Sequence, residues 1–329
     1  MEKLGCSHPR LIDIQDTFSY VSRLMTKDIL RCYDDNSQIE FADAGDAGGL
    51  PVFGMHGFMD SLETIITAAA AAAARHRLRL IAANRPGVGA SRSPKRWTKA
   101  DRAKDVLHLA DALGIERFGI FGTSGGAADA LSVLHAAPHR VKAAAIISGF
   151  GPVGRRDFLE HTRRPLQILL PIARRLPPAL AKGFLHFQFK IQCRDKAGLL
   201  TRCSRILSPD DVRILQTRKE VQDILWTSHE EIFERGEGAH ALYEEVLRLQ
   251  RWGFDPSDLS TAVPVKVWSG DEDTIVTPAM TMKLARELPP TNNGALRPEM
   301  RPGGHLMIIK DNNIDDVCQW LRTTLEKAL

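Results

Sequence analysis

The sequence predicts an α/β fold: a mostly parallel central sheet flanked by helices, with a helical segment inserted into it. Three observations carry this. Short apolar runs of strand length alternate with helical patterns between Val52 and Ile147, the order that yields parallel strands covered by their connecting helices. The alternation stops at Gly151, gives way to a proline-interrupted, arginine-rich helical stretch, and resumes at Val265. The chain then ends on a helix with one apolar face, as a helix packed on a sheet would have.

The elements follow in order. Residues 1–28 form an N-terminal extension with one amphipathic helix over Ile14 to Met25. Ile29 to Tyr33 and Gln38 to Ala42 read as a hairpin, because Asp34-Asp35-Asn36-Ser37 between them is turn chemistry. Val52 to Met55, Leu80 to Ala83, Phe118 to Phe121 and Ala143 to Ile147 suit strands buried on both faces. The alanine tract Ala68 to Ala74 is a packing helix. Asp101 to Leu113 is another, with Ala103, Val106, Leu107, Ala110 and Leu113 on one stripe, Thr98 and Asp101 resembling a capping box and Gly114 ending it. A last strand near Ala295 to Met300 contains Pro298, which suits only an edge strand or a bulge. The terminal helix places Ile314, Val317, Cys318, Leu321 and Leu325 on one face, with Asp315 and Asp316 in its first turn. The expected core is residues 29–150 and 259–329, and the insertion is residues 151–258.

Composition narrows the function. The chain has 329 residues, 43% hydrophobic and 26% charged, enough for one large domain plus an insertion. Its formal charge is 44 − 40 = +4, which argues against nucleic acid as the main partner. Cys6, Cys32, Cys193, Cys203 and Cys318 are odd in number and scattered, so they read as free thiols of a reducing compartment. Met1 to Ile14 carries charges and Pro9 where a secretory signal needs an apolar core, and Leu4-Gly5-Cys6 lacks the apolar segment of a lipoprotein signal. The greasiest stretches, Ile65 to Ala74 and Leu166 to Ala173, are shorter than the ~18 residues of a membrane span. A cytoplasmic protein is expected.

The chemistry centres on Gly122-Thr123-Ser124-Gly125-Gly126, which follows the strand run Phe118 to Phe121 and precedes a helix-compatible stretch, Ala127 to His135. A serine on such an elbow is exposed on a sharp, strained turn, and glycines two residues to either side let strand and helix approach. A serine hydroxyl needs a base, and the base needs a group that fixes its tautomer. Of the histidines well beyond Ser124, all but one lie in the insertion, His186, His229 and His240 among them, which leaves His305 in Gly303-Gly304-His305-Leu306 as the base. Three carboxylates follow the Val265 strand; Asp273, just before Ile275 and Val276 re-enter the core, is the acid, while Asp271 and Glu272 are expected to be solvated. The oxyanion of a tetrahedral intermediate needs backbone donors. Gly125 N–H supplies one and Phe58 N–H, in His56-Gly57-Phe58-Met59, the other, with His56 itself structural.

With these pieces in order, the chain resembles the α/β-hydrolase superfamily, serine-nucleophile branch, from about Ile29 to the C-terminus. The resemblance rests on His56-Gly57, on Arg85-Pro86-Gly87-Val88-Gly89-Ala90-Ser91, on the serine elbow, on Gly270-x-x-Asp273 with Val276 and Pro278, and on Gly304-His305. It implies that the insertion is a helical lid. Trp252-Gly253-Phe254-Asp255 is similar to a group of uncharacterised microbial-type hydrolases. Serine at position 124 excludes haloalkane dehalogenases and epoxide hydrolases of similar layout, which carry aspartate there.

No cofactor or metal is expected. His229-Glu230-Glu231-Ile232-Phe233 lacks the second histidine of a zinc-protease helix, Pro138 separates His135 from His139, and Gly87-Val88-Gly89 is followed by Arg92 where a dinucleotide fingerprint has its third glycine. Charge in the insertion is uneven: Gly151 to Arg205 holds twelve Lys and Arg against three Asp and Glu, and Ile206 to Ala262 six against twelve. The halves attract each other, or the basic half recognises an anionic substrate, a carrier or a membrane surface. The expected activity is hydrolysis of a carboxylic ester or related small acyl compound through an acyl-enzyme. C–C bond hydrolysis, thioester hydrolysis and acyl transfer use the same triad, and a non-catalytic ligand-binding receptor is the reading of another class.

Overall fold

The computed structural model describes residues 26–31, 38–92, 99–290 and 295–328. Eight strands form one sheet: β1 (Thr26–Arg31), β2 (Gln38–Gly45), β3 (Leu50–Met55), β4 (Leu78–Ala83), β5 (Phe118–Thr123), β6 (Val141–Ile147), β7 (Val265–Gly270) and β8 (Glu299–Arg301). Their order is β1-β2-β4-β3-β5-β6-β7-β8. β2 is antiparallel to both β1 and β4, and every other pairing is parallel. The opening hairpin is therefore present, with β1 starting at Thr26, three residues before the run read from sequence. Its turn lies outside the described residues, as do the expected N-terminal helix, Thr98 and the cysteines Cys6 and Cys32.

Helices α1 (Leu62–Arg75), α2 (Lys99–Ala112), α3 (Gly126–Ala136), α11 (Pro278–Glu287) and α12 (Asp311–Ala328) cover the sheet. β6 shows how the layers arise from a two-residue period. Ala143, Ala145 and Ile147 face a core shared with α1 and α12, whereas Ala144 and Ile146 face one shared with α2, α3 and α11. The alanine tract supplies Ala69, Ala70, Ala72 and Ala73 to the first core, where small side chains let α1 lie close to the sheet and to α12. Gly114, with φ +67°, closes the loop after α2, as expected of a helix-ending glycine. β8 pairs only with β7 and begins one residue after Pro298, so the proline precedes the pairing on an edge strand.

Between β6 and β7 the chain is helical: α4 (Arg156–Leu159), α5 (Arg164–Ala173), α6 (Pro178–Leu185), a π-helical turn (His186–Ile191), α7 (Lys196–Ser204), α8 (Pro209–Thr217), α9 (Lys219–Phe233) and α10 (Ala239–Gln250). Its two ends leave β6 and rejoin β7 at the carboxyl-terminal and amino-terminal ends of adjacent strands. No helix among the described residues is long and apolar enough to cross a membrane.

Candidate active site

The turn from β5 into α3 carries Ser124 with φ +53°, a left-handed conformation that costs a non-glycine residue about 1–3 kcal/mol. Ser124 N–H donates to Ile147 O at 2.9 Å, and Ser124 O accepts from Phe150 N–H at 3.1 Å, so the end of β6 and the loop after it hold the strained turn. A Cβ on Gly122 would strike the Gly126 carbonyl, and one on Gly126 the Met55 carbonyl. The two glycines are required by close approach of strand, helix and the β3 end.

His305 opens a short 3-10 turn (His305–Ile309) after β8. Ser124 Oγ lies 3.0 Å from His305 Nε2, and Nδ1–H of the same ring donates to Asp273 Oδ2 at 2.8 Å. Asp273 is buried, and its Oδ1 accepts from the N–H groups of Ile275 and Val276 at 2.8 and 2.9 Å. That carboxylate is therefore fixed before it meets the imidazole. Asp271 and Glu272 are exposed. Burial alone would lower the His305 pKa; the carboxylates of Asp273, Asp211 and Asp60 outweigh it and hold it above its ordinary 6.5.

Phe58 and Gly125 meet on the nucleophile's other side. A Cβ on Gly125 would sit 3.1 Å from Phe58 N, and neither N–H donates to a loop or turn carbonyl among the described residues. Both are free to converge on an oxyanion. Met59, at φ +60°, gives the loop its sharp exit. His56 is a spacer: Nδ1–H donates to Gly57 O at 3.2 Å and Nε2 accepts Arg85 N–H at 3.0 Å. Burial and the Arg85 and Arg102 charges push its pKa far below the ordinary value, so the ring is neutral.

Three residues shape this arrangement in roles that the sequence did not mark. Arg85 donates to the carbonyls of His56 and Gly57 and so anchors the chain that presents Phe58 N–H. It belongs to a buried network with Asp129 on α3, Lys99 at the start of α2 and Glu245 on α10; Lys99 Nζ lies 2.7 Å from Asp129 and 2.9 Å from Glu245. Asp211, on α8 of the insertion, accepts the N–H groups of His305 and Leu306 at 2.8 and 2.9 Å. Asp60 accepts from Thr64 and Ser228 through Oδ1. Its Oδ2 and Ser124 Oγ both lie near the point a Gly57 Cβ would occupy, at 3.2 and 3.6 Å. Burial raises its pKa, against the Thr64 hydroxyl and the Arg85 charge, which lower it. Arg85 stands inside a sequence motif; nothing in Ser208-Pro209-Asp210-Asp211 beyond a helix start says that its last carboxylate turns inward.

Beside Ser124 and His305 is a cavity of about 60 Å³, space for a few waters. Its wall is aliphatic, from Ile65 and Ala69 on α1, Ile224 and Leu225 on α9 and Ile308 after His305, with Asp60 and Thr64 as polar points. Of the remaining histidines, His229 donates to Phe189 O at 2.8 Å, stacks on Trp226 and lies tilted against Phe233. Among the described residues no group of three or more His, Cys, Asp or Glu is arranged to hold a metal ion.

A family model for the alpha/beta hydrolase fold matches residues 51–311. No curated protein matches the sequence. Among solved structures, the chain is similar to 2-hydroxy-6-oxo-6-phenylhexa-2,4-dienoate hydrolase from Rhodococcus sp. strain RHA1, with a TM-score of 0.64 and 17% identity over 92% of this chain and 99% of that one. A thermophilic esterase from Thermogutta terrifontis gives 0.63 and 19% over 92% and 98%. An enol-lactonase from Burkholderia xenovorans LB400 gives 0.61 and 17% over 88% and 97%. At such identities the likeness concerns the fold.

Proposed function

Because the chain belongs to the α/β-hydrolase fold family, we propose that it is a serine hydrolase that cleaves a carboxylic ester or related small acyl compound through an acyl-enzyme. The observation that carries this reading is the unbroken hydrogen-bonded line from Ser124 Oγ through His305 to Asp273. Ser124 Oγ attacks the acyl carbon while its proton passes to His305 Nε2. The oxyanion accepts hydrogen bonds from Phe58 and Gly125 N–H, and Asp273 stabilises the imidazolium. As the intermediate collapses, the bond to the leaving group breaks and His305 returns the proton to it. Water then repeats the sequence on the acyl-enzyme and frees the acid and Ser124.

Residues 29–150 and 259–329 act as the core in this reading, and residues 151–258 as a lid in a cytoplasmic enzyme. The packing of Leu185 and Phe189 on the cluster of Val88, Ile232 and Leu242, against which Phe58 and Met59 also pack, supports the lid role, since it places the insertion beside the oxyanion loop. Labelling with a fluorophosphonate, in wild type and Ser124→Ala, tests the nucleophile. A panel of esters, thioesters, lactones and β-diketones of increasing acyl length then identifies the bond. Failure of Ser124 to label, with no turnover of any panel member, would overturn the enzyme reading.

A further inference from the structure

The first half of the insertion has two apolar faces, and only one is covered. α6 and the π-helical turn after it bury Ala181 and pack Leu185 and Phe189 against the cluster that holds Phe58 and Met59. The opposite face carries Leu180, Phe184, Phe187 and Ile191, which are 62%, 47%, 51% and 51% exposed. Their spacing of four, three and four residues is a helical stripe pointing to solvent. α5, which shares α10 with α6 as its packing partner, adds Ile168, Leu169 and Ile172, exposed by 62%, 42% and 43%. Scattered exposed apolar residues need no explanation, but a four-residue stripe along one helix, with three more on the helix that precedes it in the chain and packs on the same partner, marks a contact surface.

The charge around this face is one-sided. Residues 161–194 contain seven Lys and Arg and not one Asp or Glu. Arg164, Arg174, Arg175 and Lys182 make no salt bridge among the described residues. A second copy of the chain is a poor occupant, since a two-fold contact across this patch would set these cations against their own counterparts. A surface that is apolar within and anionic at its rim fits both features.

We propose that the α5–α6 face docks the protein on an anionic lipid bilayer, with the Leu180, Phe184, Phe187 and Ile191 stripe among the acyl chains and Arg164, Arg174, Arg175 and Lys182 at the headgroups. The helix that meets lipid on its outer face packs on its inner face against the same apolar cluster as the oxyanion loop, so docking brings the site to membrane-dissolved acyl compounds. The docking does not depend on the chemistry proposed above.

Flotation of the full chain as Ser124→Ala, with extruded vesicles of phosphatidylcholine alone or mixed equally with phosphatidylglycerol, tests it without turnover. The mixed vesicles are expected to carry the protein, the neutral ones to carry at least about tenfold less, and high salt to release it. Phe184→Ser with Phe187→Ser, and separately Arg174→Glu with Arg175→Glu, are expected to weaken flotation about tenfold or more with an unchanged melting temperature. Absence of flotation, equal flotation on both vesicles, or variants that float like the parent would overturn the proposal. So would a solution dimer that Phe184→Ser with Phe187→Ser dissociates, because that result makes the patch a subunit interface.

Discussion

Arg85 Nη1 lies 2.7 Å from the carbonyl oxygen of His56, and Nη2 of the same guanidinium donates to the next carbonyl, that of Gly57. One planar fork therefore fixes two consecutive peptides directly before Phe58, whose N–H is the proposed oxyanion donor. Lysine's three N–H donors radiate from one nitrogen on a flexible stem and do not match the two carbonyls as the planar fork does. Arg85→Lys is expected to lower kcat by about tenfold to a hundredfold while KM moves less than about threefold, the pattern of an interaction realised in the transition state. Steady-state kinetics on a soluble ester decide it, and a loss confined to KM would contradict the assignment.

The pH dependence follows from His305. As general base it must be neutral, and burial together with the opposing carboxylates of Asp273, Asp211 and Asp60 leaves its pKa above 6.5. The acid limb of kcat/KM should therefore fall below a midpoint higher than that of free imidazole. Asp60→Asn removes one of the raising charges and should move the midpoint to lower pH. Stability runs the other way. A raised folded-state pKa stabilises the protein fully below 6.5, and that contribution is lost as pH rises through the folded value. Paired pH–rate and pH–denaturation profiles would show activity gained where this stability is lost; a midpoint unmoved by Asp60→Asn would remove Asp60 from the site's electrostatics.

Two glycines separate crowding from helix propensity. Gly122→Ala drives a methyl into the Gly126 peptide and is expected to cost about 3 kcal/mol or more. Gly183, inside α6, has nothing within 4 Å of a new Cβ, so Gly183→Ala should stabilise by about 0.5–1 kcal/mol. Urea denaturation of both variants provides the comparison.

Lys99 is fully buried between Asp129 and Glu245. Lys99→Met leaves both carboxylates short of a cation and is expected to cost about 3–5 kcal/mol. Adding Glu245→Gln removes one of them and should recover part of that loss. Additive costs in a double-mutant cycle would show that the groups do not interact.

The sequence made the sheet and its flanking helices legible because strands buried on both faces must be short apolar runs, and Val52 to Met55 and Phe118 to Phe121 are such runs. It also singled out Ser124, His305 and Asp273, which stand within hydrogen-bonding distance in that order. Each sits next to a break that a turn requires: glycines around Ser124 and before His305, and the return of Ile275 and Val276 to the core after Asp273. What Arg85, Asp60 and Asp211 do was not legible. Their roles depend on which way a side chain points across a distance of many residues, from Asp211 to His305 for example, and no local periodicity encodes that. β1 begins three residues before the apolar run that marks it, because Thr26-Lys27-Asp28 is polar, as an edge strand can be.

Asp211 has a consequence for modularity. Through its two oxygens the insertion holds the backbone at His305 and Leu306, and Gly304 packs directly on that carboxylate and on Ser208. The insertion is thus not a detachable module in which a substrate preference could be exchanged as one block. A chimera that replaces residues 151–258 wholesale from a relative loses the brace of its own histidine. The transferable segment ends before Ser208, and a working graft keeps the start of α8 with the core it supports.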